Sequence, residues 1–398
     1  MSCPLGATTR PAIASLDIAS CGASRSAVWR CRANVAYGTL TKVESGHAVA
    51  QPAVVAAVAR TLGIDVDRLT EAVEPGAPGG PSLDELVEPL RDALDAYDLP
   101  ADDIEPRSVE AVAADVDAVC RRVMRDGVLA PVVGMLSGLL DELVALVHGH
   151  AAKDPRAWMA LAHAYRCVQQ LASRLGLRDL GAVALDRMSW AAGGADDPIV
   201  EALRLHERAH EHLRSGQHYH AHRLQKRAES LAESAPVGAE RAALTGHGHL
   251  AASVHAAQDG EVDAVEDHLA LAGERATKVG EVPDALWLGF GPTNVALHEV
   301  AALVARERHQ EAVDTADRLR LPSRFDATRV GHHHMDLGRA HAALGHHERA
   351  LRALIEARRI APQVTRFHPT TRRTVEQLLM AKRRVPESLA GFAHWVGV

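Results

Sequence analysis

The sequence lacks several features that would assign it to a familiar class of protein. Aromatic residues make up 3% of its 398 residues, and its five cysteines include no CxxC pair. An odd cysteine count in a chain of this size is typical of a reducing cytoplasm. The longest apolar run, around Val128–Leu146, is interrupted by a proline, two glycines and two acidic residues. We therefore expect no membrane span and, without a signal-like start, a cytoplasmic protein.

Sequence motifs for catalysis are also scarce. There is no GxSxG and no Walker loop, so we expect no enzymatic activity and no cofactor. Twenty-four histidines form dense groups, and His206 and His210 have the i, i+4 spacing that zinc ligands use on a helix. We interpret them as a single pair, which is too little to predict a metal. The histidines are expected at surfaces and interfaces.

Charge is distributed unevenly along the chain. The formal net charge is −7, but residues 1–60 carry six basic and two acidic side chains, a local +4. The remainder is therefore close to −11. A basic amino-terminal segment on an acidic body fits a protein that contacts double-stranded DNA, because neutralised phosphates supply most non-specific affinity.

The basic segment contains two predicted amphipathic helices. In "ANVAYGTLTKVESG", Val35, Leu40 and Val43 share one face, and Gly46 suits the turn after a helix end. A second helix follows in "QPAVVAAVARTLGIDVDRLT".

Residues 33–73 resemble helices three to five of an Xre-type, lambda-repressor-like helix-turn-helix domain. The resemblance implies that the helix Ala36–Glu44 enters the major groove and that the protein is a homodimer. It assigns DNA contacts to the outward residues Tyr37, Gly38, Thr39, Thr41 and Lys42.

Residues 1–32 depart from that family's pattern for helices one and two, and we expect an atypical or poorly ordered segment. A frameshift just before Ala33 is our hypothesis for the departure. GC-rich codons for Ser26–Cys31 can encode, in a neighbouring frame, a sequence close to the family's second helix. A protein that has lost DNA binding and acts as an interaction scaffold is the alternative function.

The stretch 74–82, "EPGAPGGPS", predicts a linker, and residues 83–398 predict an all-α body. Trp158, Leu161, Ala162 and Tyr165 match the tetratricopeptide pattern, as does a segment from Leu337 to Pro362. We expect about five helix pairs stacked as a tetratricopeptide-like α-solenoid; a non-repeating bundle is the alternative. The first helices are predicted at Leu83–Tyr97, Val109–Asp126, Val132–Val147 and Pro155–Leu175.

The whole chain thus resembles regulators of high-GC bacteria that join an Xre-type domain to a tetratricopeptide body. In such proteins the body senses a peptide or small molecule. The segment "WLGFGPTNVALHE" suggests where this happens, because an asparagine on a concave helix can grip a peptide amide. The predicted effector-binding residues are Trp287, Phe290, Asn294 and His298. The alternative is that Thr293 and Asn294 cap a helix while Trp287 and Phe290 fill the core.

Overall fold

The computed structural model describes residues 83–323, 325–381 and 385–398. The predictions for residues 1–82, including the DNA contacts at Tyr37, Gly38, Thr39, Thr41 and Lys42, lie outside these ranges. The described part of the chain is all-α, with sixteen α-helices, two short 3-10 turns and no strand. It belongs to one compact unit that begins at Leu83.

Three helices open this unit and pack against the first helix pair. They are α1 (Leu83–Asp95), α2 (Val109–Met124) and α3 (Val133–His148). By length and composition, the segment Ala130–His148 is the one stretch among the described residues that could cross a membrane, and half of its window is buried inside the protein.

Ten helices follow as five consecutive pairs, the number that the sequence predicts. The pairs are α4 (Pro155–Leu175) with α5 (Arg178–Ala195), α6 (Pro198–Arg214) with α7 (His218–Ser234), α8 (Ala239–Asp259) with α9 (Val262–Val279), α10 (Pro292–Ala305) with α11 (His309–Arg318), and α12 (Ala327–Ala343) with α13 (His347–Ile360). Short loops make the two helices of a pair antiparallel. The unit ends with α14 (Pro362–Phe367), α15 (Pro369–Met380) and α16 (Glu387–Val396).

Local sequence explains where the best-defined pairs begin and end. The Asp154 carboxylate accepts a hydrogen bond from the Arg156 amide, Pro155 occupies the first turn, and Gly176 ends α4 with φ 80°. Asp197 caps α6 in the same way through the Ile199 amide. An acidic cap followed by proline starts a helix efficiently, and glycine accepts the left-handed backbone that stops one.

Small residues let the helices approach closely in the first and the last of these pairs. A Cβ added at Gly338 of α12 would lie 2.9 Å from Leu354 of α13, and one at Gly194 of α5 would lie 2.2 Å from the Trp158 ring. Leu161, Ala162 and Tyr165, the other predicted repeat positions of α4, are fully buried. The repeat pattern therefore marks true packing positions.

The first helix of each later pair contacts both helices of the pair before it, and α4, α6, α8, α10 and α12 are therefore the inner helices. The beginning and end of the unit also touch. The Thr328 amide donates to the Arg125 carbonyl at 2.9 Å, and the Leu129 amide donates to Gln363 Oε1 at 2.5 Å. The two ends of the helical stack are therefore in contact, and we call this closed stack the ring. Its interior is the region toward which the inner helices face.

Candidate functional site: the polar interior of the ring

The predicted effector residues lie on and before α10, at the inner side of the ring. Phe290 is fully buried and its ring occupies the space left by Gly246 of α8, where a Cβ would be only 2.1 Å away. Trp287 is half-buried and meets His163 of α4 edge-to-face, with ring centroids 4.9 Å apart. Its buried Nε1 has no hydrogen-bond partner among the described residues. The core interpretation therefore holds for Phe290.

Asn294 does not cap α10. The amide of Thr293 donates instead to Glu281 Oε1 at 2.8 Å, so a side chain from outside the helix performs the capping. Asn294 is fully buried, and neither its Oδ1 nor its Nδ2 finds a partner among the described residues. Leaving buried polar atoms unpaired costs free energy, so such a side chain requires an explanation.

The segment just before α10 is strained and held from inside. Leu286 and Trp287 both adopt left-handed φ angles, 51° and 50°, which bulky residues rarely do. Arg166 of α4 donates to the Leu286 carbonyl at 2.6 Å, and Arg329 of α12 donates to the Leu288 carbonyl at 3.3 Å. Two inner arginines thus fix the backbone that presents Trp287, and strain of this kind concentrates at functional positions.

A directed chain of hydrogen bonds crosses the interior from α12 to α7. Arg329 Nη2 donates to His247 Nε2 at 2.8 Å, since arginine has no acceptor. His247 Nδ1 then donates to His206 Nε2 at 3.0 Å, and His206 Nδ1 donates to Gln225 Oε1 at 2.9 Å. The predicted residue His298 adjoins this chain, with its ring 6.2 Å from that of His247 and its Nδ1 donating to the Asn294 carbonyl.

The same region brings three histidines together. One ligand nitrogen from each of His206, His210 and His247 lies within 4.8 Å of the other two. His206 and His210 are not an isolated pair in the sequence, because residues 206–210 read His-Glu-Arg-Ala-His, the HExxH pattern of helical metal sites. The sequence interpretation overlooked Glu207, and it had no means of placing His247 beside them.

Glu207 itself is engaged in a buried ion pair. Its Oε1 accepts from Arg166 Nε at 2.6 Å and its Oε2 accepts from Gln170 Nε2 at 2.7 Å. Arg166 and Glu207 are only 2% and 3% exposed. Burial alone would raise the pKa of Glu207, but the neighbouring Arg166 charge outweighs it and the pKa is lowered. The pair is therefore charged and complete.

The inner histidines are neutral because they are buried. Desolvation lowers the pKa of His206, His210 and His247, and it lowers the pKa of His298 to about 4 and that of His163 to about 3. The expectation that the histidines lie at surfaces and interfaces is therefore wrong for this group, which is buried inside the chain. It is right for His220 and His222 on α7, which are exposed. Composition alone could not separate the two groups.

Cys120 and Cys167, interpreted from sequence as small core residues, are both buried and belong to α2 and α4. Away from the interior, a groove of about 370 Å³ lies between α13, α15 and α16. Leu351, Ile355 and Leu389 are among the residues that line it. None of the predicted site residues faces this groove.

No protein-family model matches the chain, and comparisons with curated proteins and with solved structures find no match.

Proposed function

We propose that the chain is a DNA-binding transcriptional regulator whose helical body senses a peptide or small molecule, mediates homodimerisation, or does both. Residues 33–73 support the first part, because they resemble the recognition half of an Xre-type domain and lie in a basic segment. The ring supports the second part. It places strained backbone and unpaired buried polar groups around its interior, where a ligand could satisfy them.

The observation that carries the sensing role is Asn294. An asparagine side chain whose acceptor and donors are both buried and unpaired weakens the free protein, so its benefit is expected in another state. A bound amide group would pair with Oδ1 and Nδ2 together. Ligand binding would then stabilise the protein by satisfying groups that the free ring leaves unsatisfied.

This role gives a test that needs no knowledge of the ligand. Asn294→Leu keeps the branched shape and the number of side-chain heavy atoms while it replaces the two unpaired polar atoms with methyl groups, so we expect the free protein to gain about 1–2 kcal/mol in stability. Urea unfolding of the full chain measures the change. A loss of stability would show that Asn294 serves the fold, and the sensing role would lose its support.

DNA binding is tested on the full chain by unbiased selection of bound fragments, followed by affinity measurements over a range of salt concentrations. Lys42→Ala is expected to reduce the slope of log affinity against log salt by about one unit, because one phosphate contact is lost. Lys153→Ala, an exposed lysine in the body, is the matched control and should leave the slope unchanged. Equal slopes for all three proteins would contradict the assignment of Lys42.

The interaction scaffold remains the second candidate, favoured by the departure of residues 1–32 from the family pattern. Circular dichroism of residues 1–75 expressed alone separates the two functions. A cooperative thermal transition supports a folded DNA-binding module, and featureless melting supports the scaffold. A version of the gene with the neighbouring frame restored before Ala33 provides the direct comparison.

A further inference from the structure

We propose that His206, His210 and His247 bind a divalent transition-metal ion, of which Zn²⁺ is the natural candidate, inside the ring. Tetrahedral zinc with Zn–N distances of about 2.0–2.1 Å holds its ligand nitrogens about 3.3 Å apart. Here the three nitrogens lie within 4.8 Å of one another, and His206 Nε2 and His247 Nδ1 are 3.0 Å apart. Small rotations of the side chains bring them into coordination.

Two inner helices supply these ligands. His206 and His210 are one turn apart on α6 and share a face, with ring centroids 4.4 Å apart. The third histidine comes from α8, the next inner helix, with its ring 5.1 Å from His206 and 5.6 Å from His210. Gly246 and Gly248 flank it, and a Cβ at either would collide with Phe290 or Gln225. The sequence "GHG" thus lets α8 approach while His247 points inward.

The surrounding hydrogen bonds fit a metal at two of the three ligands. Gln225 Oε1 accepts from His206 Nδ1, which fixes the tautomer whose Nε2 lone pair faces the other imidazoles. Partners of this kind orient metal-binding histidines. His210 Nε2 is buried and has no hydrogen-bond partner among the described residues. A metal ion would satisfy this orphaned atom.

The third ligand connects the site to the rest of the ring. Coordination through Nδ1 moves the proton of His247 to Nε2, which then faces the N–H groups of Arg329 instead of accepting from them. Arg329 must then break its 2.8 Å hydrogen bond to His247 Nε2, while it can keep its hydrogen bond to the Leu288 carbonyl. Metal binding therefore shifts a side chain of α12 one residue from Thr328, whose amide joins the two ends of the ring.

The arrangement favours binding over hydrolysis. In an HExxH hydrolase the glutamate is free to activate a metal-bound water. Both oxygens of Glu207 are instead occupied by Arg166 and Gln170. The site is also enclosed by the ring, so it suits a sensed or structural ion. The proposal depends on the helical body and not on the proposed DNA binding.

The experiment uses the full chain, freed of metal with a chelator and dialysed, then titrated with Zn²⁺ against a chromophoric competitor. We expect one tight ion per chain, and Co²⁺ in its place should give the absorption bands of a tetrahedral complex. His210→Gln and His247→Gln should each weaken binding by more than about tenfold. Circular dichroism establishes that each variant is folded.

Surface histidines are the main source of false binding, and α7 offers a matched control. His218 and His222 have the same i, i+4 spacing, but His222 is exposed and no third ligand joins them among the described residues. His222→Gln should leave the tight ion in place. Equal losses in His222→Gln and His210→Gln, or no tight ion at all, overturn the proposal.

If His247→Gln fails to fold, His210→Gln decides the matter, because the Nε2 atom of His210 has no partner to lose. DNA retention is measured separately in the presence of chelator. If the chain binds metal but not DNA, the metal site is supported and the proposed role as a transcriptional regulator is contradicted. If the chain binds DNA but takes up no metal, the regulator is supported and the metal site is contradicted.

Discussion

Two neighbouring helices carry almost the same histidine pattern and place it in opposite surroundings. On α8, His247 and His249 are buried, and twelve residues of this helix are buried in all. On α7, His220 and His222 are exposed, and only three alanines are buried. An inner helix packs against its partner and against the pairs before and after it. The outer helix α7 instead buries only a narrow stripe of alanines, Ala221, Ala228 and Ala232.

This difference shows that the solvation and the contacts of a histidine here depend on whether its helix is inner or outer, and not on the local sequence pattern. We call the inner helices the inner layer and the second helices of the pairs the outer layer. Desolvation lowers the pKa of His206, His210 and His247 in the inner layer, where they contact one another, whereas His220 and His222 in the outer layer are exposed to solvent. The same contrast applies to ion pairs and to glycines, and each yields a matched pair of substitutions.

Ion pairs should show the largest contrast. Glu207→Gln leaves the Arg166 charge buried without its counterion, and we expect it to cost about 3–5 kcal/mol. Glu311→Gln breaks the pair with Arg308 on the outer layer, where the side chains are 52% and 43% exposed, and should cost less than about 1 kcal/mol. Urea unfolding of both variants measures the difference. Similar costs would mean that the two layers do not differ in solvation.

Glycines should show the next largest contrast. Gly246→Ala on α8 places a methyl group against the Phe290 ring, and we expect a loss of up to about 3 kcal/mol. Gly273→Ala on α9 meets no atom within 4 Å and should stabilise the protein by about 0.5–1 kcal/mol, because alanine is the better helix former.

Thermal unfolding of the two glycine variants provides the check. Adding Phe290→Leu to Gly246→Ala should recover part of the loss by making room for the methyl group. A double variant less stable than Gly246→Ala alone would argue against this contact as the cause.

Acid pH should show the smallest of the three contrasts. The pKa of His163 falls to about 3 through burial, while the unfolded chain titrates near 6.5. A lowered folded pKa gives stability that is present above about pH 6.5 and lost as the pH falls. At pH 5 the loss attributable to His163 is about 2 kcal/mol.

His163→Leu cannot take up this proton, so its stability should fall less steeply between pH 7.5 and pH 5 than that of the parent protein. Parallel slopes in the parent and in His163→Leu would place the acid sensitivity elsewhere.

The sequence predicts the all-α class and several helix bounds well because helix signals are local. The predicted helix Pro155–Leu175 has the observed bounds, since an acidic cap, a proline and a terminal glycine all lie within it or beside it. The predicted helix Leu83–Tyr97 ends two residues earlier, at Asp95. Trp158 and Gly338, which the repeat pattern singles out, both lie at close contacts between the helices of a pair.

The interior could not be predicted in the same way. His247 meets His206 across 41 residues, and Arg329 reaches His247 across 82. Such contacts depend on how helix pairs stack, and no short motif encodes this. The HExxH pattern at 206–210 was visible in the sequence, but its meaning depends on a third histidine that only the fold supplies.

The junction that joins Thr328 to Arg125 and Leu129 to Gln363 has a consequence for rates. The ion pair between Arg125 and Asp284 spans the same junction. If a ligand enters the interior by separating these contacts, the rate at which they open limits both its entry and its release. A bound ligand would then be released slowly, so that the state of the protein would reflect past exposure as well as the present ligand concentration.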